Sequence, residues 1–524
     1  MSLTGRAMVV ATCLCAAGPA RGDDAGAVAV TRPVEQGAAD ALDLRLTLSS
    51  FLFRESGADA PAVVDQGATL QNASPVRRTF GDLRAELSSD GLVFDGRVRQ
   101  TTSERYQAGA AAGGEYELRA LGYRLGSPTT FLTIGRQTVD AVGAARIDGL
   151  ALTRKLTPTI GATLFGGAYP VLGSRSLDTD YVHVHNADGT EGGLLVPLAG
   201  GAGVDYRTPE FHGDVGVAAV YAAQDTGDAP ADQRSRVFAT SSGYWRFGAP
   251  LDVYHFAQLD VAGGTGVALT NGSLGVDARP VPAVTLTGSV HHVSTDVLQI
   301  TARNVLADPD PSALGVVQNN LAVLRVSQDV ARAAASVALA DQRFELSASG
   351  AFHRRPQVTV QLADGTGAVA FPEAKSADAT FSILDRHSLA GLRLQLSGSL
   401  TFPIGDSVAA RARGTLVRLS AGRGFSHDRG QFEADVMAER FHDLGSGTGM
   451  CMTSLDAFAC YGTSTTVAAQ AGALASWRVG REWLVIADAH AGYRDVSSLG
   501  VAGPIARPKV VSITSFIRIQ WRYR

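Results

Sequence analysis

The chain contains no uninterrupted apolar run of the roughly 20 residues that a membrane-spanning helix needs, few aromatic residues (7%) and only 18% charged residues. If it crosses a membrane it must therefore do so with strands, since only helices and closed barrels satisfy every backbone group in lipid. A formal net charge of −4 leaves no basic footprint, so nucleic acid is set aside as a partner. Cysteine is scarce, 4 in 524 residues. Two of these, Cys13 and Cys15, fall in a leader discussed below; the others, Cys451 and Cys460 in GMCMTSLDAFACYG, have the spacing of one local disulfide in an exported protein. The rival reading is a metal pair, but no His lies between or beside them. No Gly-x-Ser-x-Gly nucleophile motif stands out, and nothing points to a cofactor or a metal. What is plentiful is glycine, 59 residues, with hydrophobics at 45%, a composition suited to many short strands joined by turns.

The N-terminus has the layout of an export signal. Arg6 supplies the positive start, Ala7 to Ala17 the short apolar stretch, and Ala20-Arg21-Gly22 the small residues of a cleavage site, so residues 1–22 are expected to be removed and the mature chain to start near Asp23. A membrane anchor would need about twice that apolar length. Residues 23–41, rich in Ala and Gly, are expected to be a periplasmic linker, with a barrel from 42 to 524.

Period-two patterning carries the fold. In the last stretch, KVVSITSFIRIQWRYR, the residues Ile513, Ile517, Ile519, Trp521 and Tyr523 share one face, and Thr514, Arg518, Gln520, Arg522 and Arg524 the other. Leu42, Leu44, Leu46 and Leu48 alternate with Asp43, Arg45, Thr47 and Ser49, making the first strand the expected partner of the last. Between them, Phe80 to Ser88 and Leu92 to Gln100 form a hairpin about Ser89-Asp90-Gly91. One face of this hairpin bears Asp82, Arg84, Glu86, Asp95, Arg97 and Arg99, too many charges for a soluble core. The other bears Leu83, Leu87, Phe94 and Val98, too apolar for a wet surface. A lipid-facing outside and a wet inside reconcile them. The fold class expected is all-β: one large antiparallel transmembrane barrel of roughly 20 strands, within 18 to 22 and even in number.

Turn signals recur at Gly126-Ser127-Pro128, Thr157-Pro158, Thr208-Pro209-Glu210, Gly248-Ala249-Pro250, Arg279-Pro280-Val281-Pro282, Asp341-Gln342-Arg343, Pro403-Ile404-Gly405-Asp406 and Gly480-Arg481-Glu482, separated by longer polar segments. Short turns on the periplasmic side and long loops outside are the outer-membrane arrangement. Trp245, Trp477, Trp483 and Trp521, with Tyr523, all lie near a short turn or the chain end, where amphipathic rings would mark the membrane interface. Phe402 to His442 does not resolve into strands going up and down. Pro311 to Ala335 reads either as an amphipathic helix, with Val317, Leu321 and Leu324 at helical spacing, or as irregular loop followed by strand from Val330 to Ala340.

The alternating terminal strand ending in an aromatic resembles the assembly signal of bacterial outer-membrane proteins; here Arg524 follows the last aromatic. That resemblance implies the outer membrane as location, with its lipid, its lipopolysaccharide and the barrel-assembly machinery as partners. The stretch FLTIGRQTVDAVGAARIDGLAL, Phe131 to Leu152, resembles a region of porins in which a strand ending in Gly-Arg leads to a loop folded into the lumen. The resemblance implies that Arg136, Asp140, Arg146 and Asp148 line or anchor a constriction, where opposed charges sort solutes. The residues alone equally describe a hairpin held by ordinary Arg–Asp pairs. With Arg84, Glu86, Arg97, Arg99 and Arg119 on the inner face, the expected function is a non-enzymatic porin-like channel for small hydrophilic solutes. A structural or adhesive barrel acting through its loops is the alternative. A hydrolase built on His291-His292, His353, or His490 with Asp488 is a third reading. A plugged receptor is disfavoured, because strand signals begin near Leu42.

Overall fold

The computed structural model describes residues 42–57, 64–65, 68–69, 76–89, 91–103, 112–143, 145–170, 181–185, 191–221, 235–248, 250–262, 267–294, 327–361, 368–371, 373–389, 391–405, 412–425, 429–443, 461–500, 503–506 and 509–523. The expected leader, linker and Cys451–Cys460 disulfide lie outside them.

Alternation of apolar and polar side chains gives 22 long strands that close into one antiparallel ring. In chain order, β1 to β7 are Asp43–Gly57, Val76–Ser89, Leu92–Ser103, Ala112–Gly126, Thr130–Val139, Ala145–Lys155 and Ile160–Ala168. Strands β8 to β15 are Leu198–Arg207, Phe211–Tyr221, Ser235–Arg246, Leu251–Ala262, Ala268–Val281, Val284–Ser294, Ser327–Leu339 and Phe344–Arg355. Strands β16 to β22 are Ala374–Leu389, Leu392–Pro403, Ala412–Phe425, Gly430–Asp443, Tyr461–Val479, Trp483–Gly500 and Val510–Tyr523. Each pairs with its neighbours in sequence, and β1 closes the ring on β22, from Leu44 opposite Tyr523 to Gly57 opposite Val510. Closure leaves no sheet edge, the condition for strands to exist in lipid.

The ring has two unlike ends. At the end where β1 begins and β22 finishes, strands are joined by residues 90–91, 127–129, 156–159, 208–210, 247–250, 282–283, 340–343, 390–391, 426–429 and 480–482. At the other end the joins include 58–75, 169–197, 295–326 and 444–460. Several turn signals land at the first end. Two expectations about turns are corrected. Strand β12 runs through Arg279-Pro280 to Val281, so its turn lies at 282–283. Pro403-Ile404-Gly405-Asp406 opens a connection, 404–411, at the opposite end; the turns that were missed are 390–391 and 426–429. Of the two readings of Pro311 to Ala335, the strand holds from Ser327 onward as β14, with Asp329 and Arg332 on opposite faces of it.

Burial separates the two faces of the wall. Leu48, Leu83, Leu150, Leu164, Val215, Val276, Phe381, Leu400, Val417, Val436 and Ile517 are exposed on the outside, a continuous apolar belt that makes sense only against lipid. Near the first end the belt carries aromatic rings. Trp245 stacks between Phe211 (5.2 Å) and His255 (4.8 Å), and Tyr206 joins Phe211 at 5.4 Å. Trp483, Trp521 and Tyr523 form a second group, at 6.2 and 6.3 Å, with Trp477 exposed nearby. Facing inward are Ser49, Asp82, Thr240, Asp260, Ser382, Ser420 and Asp435. Among the described residues no helix is long and apolar enough to cross a membrane.

Candidate functional site

The inner wall from β21 through β4 is a chain of charge pairs built by register. Asp82 and Arg99, Arg84 and Arg97, and Glu86 and Asp95 stand opposite one another on β2 and β3. The side chains then pair diagonally. Arg84 holds Asp95 with two hydrogen bonds, 2.9 and 2.7 Å, and Glu86 at 2.6 Å; Glu86 also meets Arg45 on β1 at 3.2 Å. Arg97 binds Asp82 and reaches Glu117 at 3.3 Å, while Arg99 shares Asp82 at 3.1 Å and Arg119 grips Glu117 at 2.8 Å. Across the closure, Arg522 forks onto Asp43 (3.0 and 2.6 Å) and Arg494 meets Glu55 (2.7 Å). Ionised groups in this number are stable only where water or a partner meets each one. The sequence-predicted set Arg84, Glu86, Arg97, Arg99 and Arg119 is brought together as one inward-facing network.

The second part of the site is a hairpin that leaves the wall. Strands β5 and β6 remain paired with each other from Thr130 opposite Arg154 to Val139 opposite Ala145. Their outer partnerships end earlier: β4 pairs with β5 only up to Leu121 opposite Arg136, and β7 pairs with β6 only from Asp148 opposite Ala168. Beyond Arg136 and Asp148 the hairpin is therefore a two-stranded flap without neighbours. Gly135, at φ +117°, permits the departure; a Cβ there would run into the carbonyl of Leu121.

The flap bends inward. Its tip is a single helical turn, Asp140–Val142, ending on Gly143 in the left-handed region. The tip rests against β8, β9 and β10, on the faces that bear Gly203, Gly216 and Thr240. These are lumen faces, because Val204 and Val215 next to the two glycines are exposed on the outside. Gly203 and Gly216 are the seat: a Cβ on either would meet the carbonyl of Ala141. Around the tip Val139, Val142, Ile147, Ala151, Phe165, Ala199, Ala218, Val220 and Phe238 form a dry cluster inside the barrel. Burial of this apolar surface is what holds the tip to the wall.

Arg136 and Asp148 sit at the hinge. The Arg136 Nε and Nη2 donate to the two carboxylate oxygens of Asp148 at 2.6 and 2.5 Å, and Nη1 donates to the carbonyl of Leu118 at 3.0 Å. That carbonyl belongs to the part of β4 that β5 has abandoned, so the guanidinium replaces a lost ladder bond. Tyr181, from the connection after β7, donates to Asp148 at 2.6 Å. Arg136 is only 8% exposed. Of the four residues expected at a constriction, Arg136 and Asp148 anchor, Asp140 is carried on the tip, exposed, and Arg146 stands opposite Thr138 on the flap.

The residues that seat the tip, Gly203, Gly216, Thr240 and the dry cluster, were absent from the sequence reading. The histidines of the hydrolase reading are spread around the ring: His490 with Asp488 (2.6 Å), His353 with Asp378 (2.8 Å), His291 with Ser289 (3.2 Å) and His292 with Asp329 (2.6 Å). They are separate pairs on different strands, and His292 with Asp329 shares the outward parity of Leu286 and Val290.

No protein-family model matches the chain, and no curated protein matches it. Among solved structures it is similar to OpdQ of Pseudomonas aeruginosa, with TM-score 0.37 and 10% identity over 92% of this chain and 98% of that one. It is also similar to OccAB2 of Acinetobacter baumannii (TM-score 0.38, 11% identity, 93% and 100% covered) and to the copper transporter OprC (0.41, 11%, 93% and 81%). Its closed ring, lipid-facing belt, aromatic interface and charged interior make this chain a bacterial outer-membrane β-barrel of porin-like build.

Proposed function

We propose that the barrel is a channel for passive diffusion of small hydrophilic solutes, narrowed by the inward flap. The observation that carries this is the inner wall itself, where a network of ionised side chains from β21 to β4 keeps much of its surface exposed toward the lumen: Arg84 at 33%, Arg99 at 31% and Arg119 at 35%. A barrel of 22 strands is wider than side chains alone can fill, and groups of this kind need water beside them. The flap adds Asp140 on the tip, with Asp205 and Asp214 on the inward faces of β8 and β9 behind it. Charges of both signs thus meet the permeating solute, and they set its preference.

Purified protein in a planar bilayer is expected to give steady conductance steps, and Asp140→Asn to reduce the preference for cations over anions. Silent bilayers from correctly folded protein would overturn the channel. Unchanged selectivity in the variant would keep the channel and remove the tip carboxylate from its filter.

The same reading orients the protein with the start of β1, the finish of β22 and the short connections on the periplasmic side. Residues 444–460 are then at the cell surface. An epitope tag inserted there is expected to be accessible on intact cells; detection only after permeabilisation would reverse the orientation.

A further inference from the structure

The wet wall is interrupted at one level by a row of phenylalanines. Phe51 on β1 stands opposite Phe516 on β22 and Phe80 on β2. All three share the inward parity of Ser49, Arg518 and Asp82, and all are partly exposed. The rings of Phe51 and Phe80 stack, with centroids 4.9 Å apart and planes 18° from parallel. Phe53, one inward step further along β1, extends the patch beside Thr514. At other places on the inner wall, hydroxyl pairs such as Ser347–Ser382 (2.6 Å) and Thr153–Thr163 (3.1 Å) join neighbouring strands and satisfy both the wall and water. Apolar rings left in contact with a wet lumen do not.

Guanidinium groups flank the row. Arg99 lies 4.5 Å over the Phe80 ring and Arg518 lies 5.2 Å from the Phe516 ring. Arg518 is exposed, and among the described residues no carboxylate pairs with it. Of the acids close by, Asp82 is shared by Arg97 and Arg99, and Asp488, opposite Phe516, lies 2.6 Å from His490. The level therefore offers flat apolar surface beside an exposed guanidinium with which no carboxylate of the described residues pairs.

We propose that the inward faces of β22, β1 and β2 form a subsite for small organic anions that carry a planar aromatic ring. The ring lies along Phe516, Phe51 and Phe80, and the anionic group meets Arg518. The proposal rests on the channel reading and names a solute class for it. Stacking on aromatic faces combined with an arginine contact is the physical basis of the preference.

The test uses full-length protein in planar bilayers, with benzenesulfonate as probe and methanesulfonate as a control of the same charge. Benzenesulfonate is expected to interrupt the open current in a concentration-dependent way, with a residence time roughly tenfold longer than that of methanesulfonate. Phe51→Leu combined with Phe80→Leu, which keeps apolar bulk in the wall, is expected to abolish that difference, and Arg518→Gln to shorten both residence times. If the row served only to close the ring, the leucine variant would lower the temperature of the gel-mobility transition and leave the interruptions unchanged, which overturns the subsite. Equal residence of the two sulfonates also overturns it. Calorimetric titration of benzenesulfonate into detergent-folded protein separates the two readings. Binding without conduction sinks the channel and keeps the subsite; conduction without binding does the reverse; absence of both removes both.

Discussion

Arg136→Ala is expected to raise the single-channel conductance and make the open current noisy, because it removes the clamp at the root of the inward flap. The guanidinium is nearly buried, forks onto Asp148 and caps the Leu118 carbonyl. Its loss leaves a carboxylate with Tyr181 as its remaining strong donor and a carbonyl without its bond. Breaking a buried pair from one side costs on the order of 3–5 kcal/mol; the half-open position of Asp148, 26% exposed, places the effect at the lower end. That exceeds what most single contacts contribute, and it acts where the flap has already given up both neighbouring strands. Arg136→Lys should be intermediate, since an ammonium cannot reproduce the fork and the third bond together. Replacing both hinge residues, Arg136→Leu with Asp148→Leu, should disturb folding less than the single alanine change, because no lone charge is left. A folded Arg136→Ala protein with wild-type conductance and noise would show that the dry cluster around Val142 and Ile147 holds the flap unaided.

Much of this architecture was legible because a barrel wall writes its two solvents into alternate residues. The closing pair β1 and β22 could be read from Leu44, Leu46 and Leu48 against Ile519, Trp521 and Tyr523, and the pairing is the one observed; its register was not legible. The charged hairpin β2–β3 was equally plain. What could not be read has two physical causes. Turns were recognised by polar stretches and by Pro, so Leu389-Ala390-Gly391-Leu392, which sits within an apolar run, passed unnoticed, while Pro403-Ile404-Gly405-Asp406 looked like a tight turn although 404–411 lies at the far end. Inward apolar residues are the second cause. Phe165, Ala218, Val220 and Phe238 face the flap tip, yet in the sequence they look like any lipid-facing residue, because burial by protein and exposure to acyl chains select the same side chains. The glycine seat is silent for a related reason: Gly203 and Gly216 matter only through what rests on them. The Gly135-Arg136 signal located the flap's root, but its destination on β8, β9 and β10 is a tertiary fact. The phenylalanine row was likewise hidden, since Phe51 and Phe516 are neighbours only once the ring has closed.

Val215→Arg is expected to impair assembly severely, whereas Ser349→Arg should leave it nearly unchanged. Val215 is 61% exposed, and for a water-soluble sheet an arginine there would be harmless or would favour solubility. In the barrel the same side chain stands in the apolar belt on β9, between the aromatic group near Phe211 and Trp245 and the opposite rim. An arginine at mid-belt depth in a transmembrane barrel costs about 2–4 kcal/mol, falling to about 0–1 near the interfaces, and Val215 is far enough from the short connections for the larger figure to apply. Ser349 is also exposed, but it shares the inward parity of Ser347 and His353 on β15, so its replacement meets water and the neighbouring polar wall. The two substitutions add the same group at exposed strand positions and differ only in which solvent they meet. Heat-modifiable gel mobility after refolding into lipid vesicles, scored as the fraction assembled, reads the difference directly. Equal assembly of the two variants would mean that the apolar belt does not face lipid, and the membrane reading of this fold would fall with it.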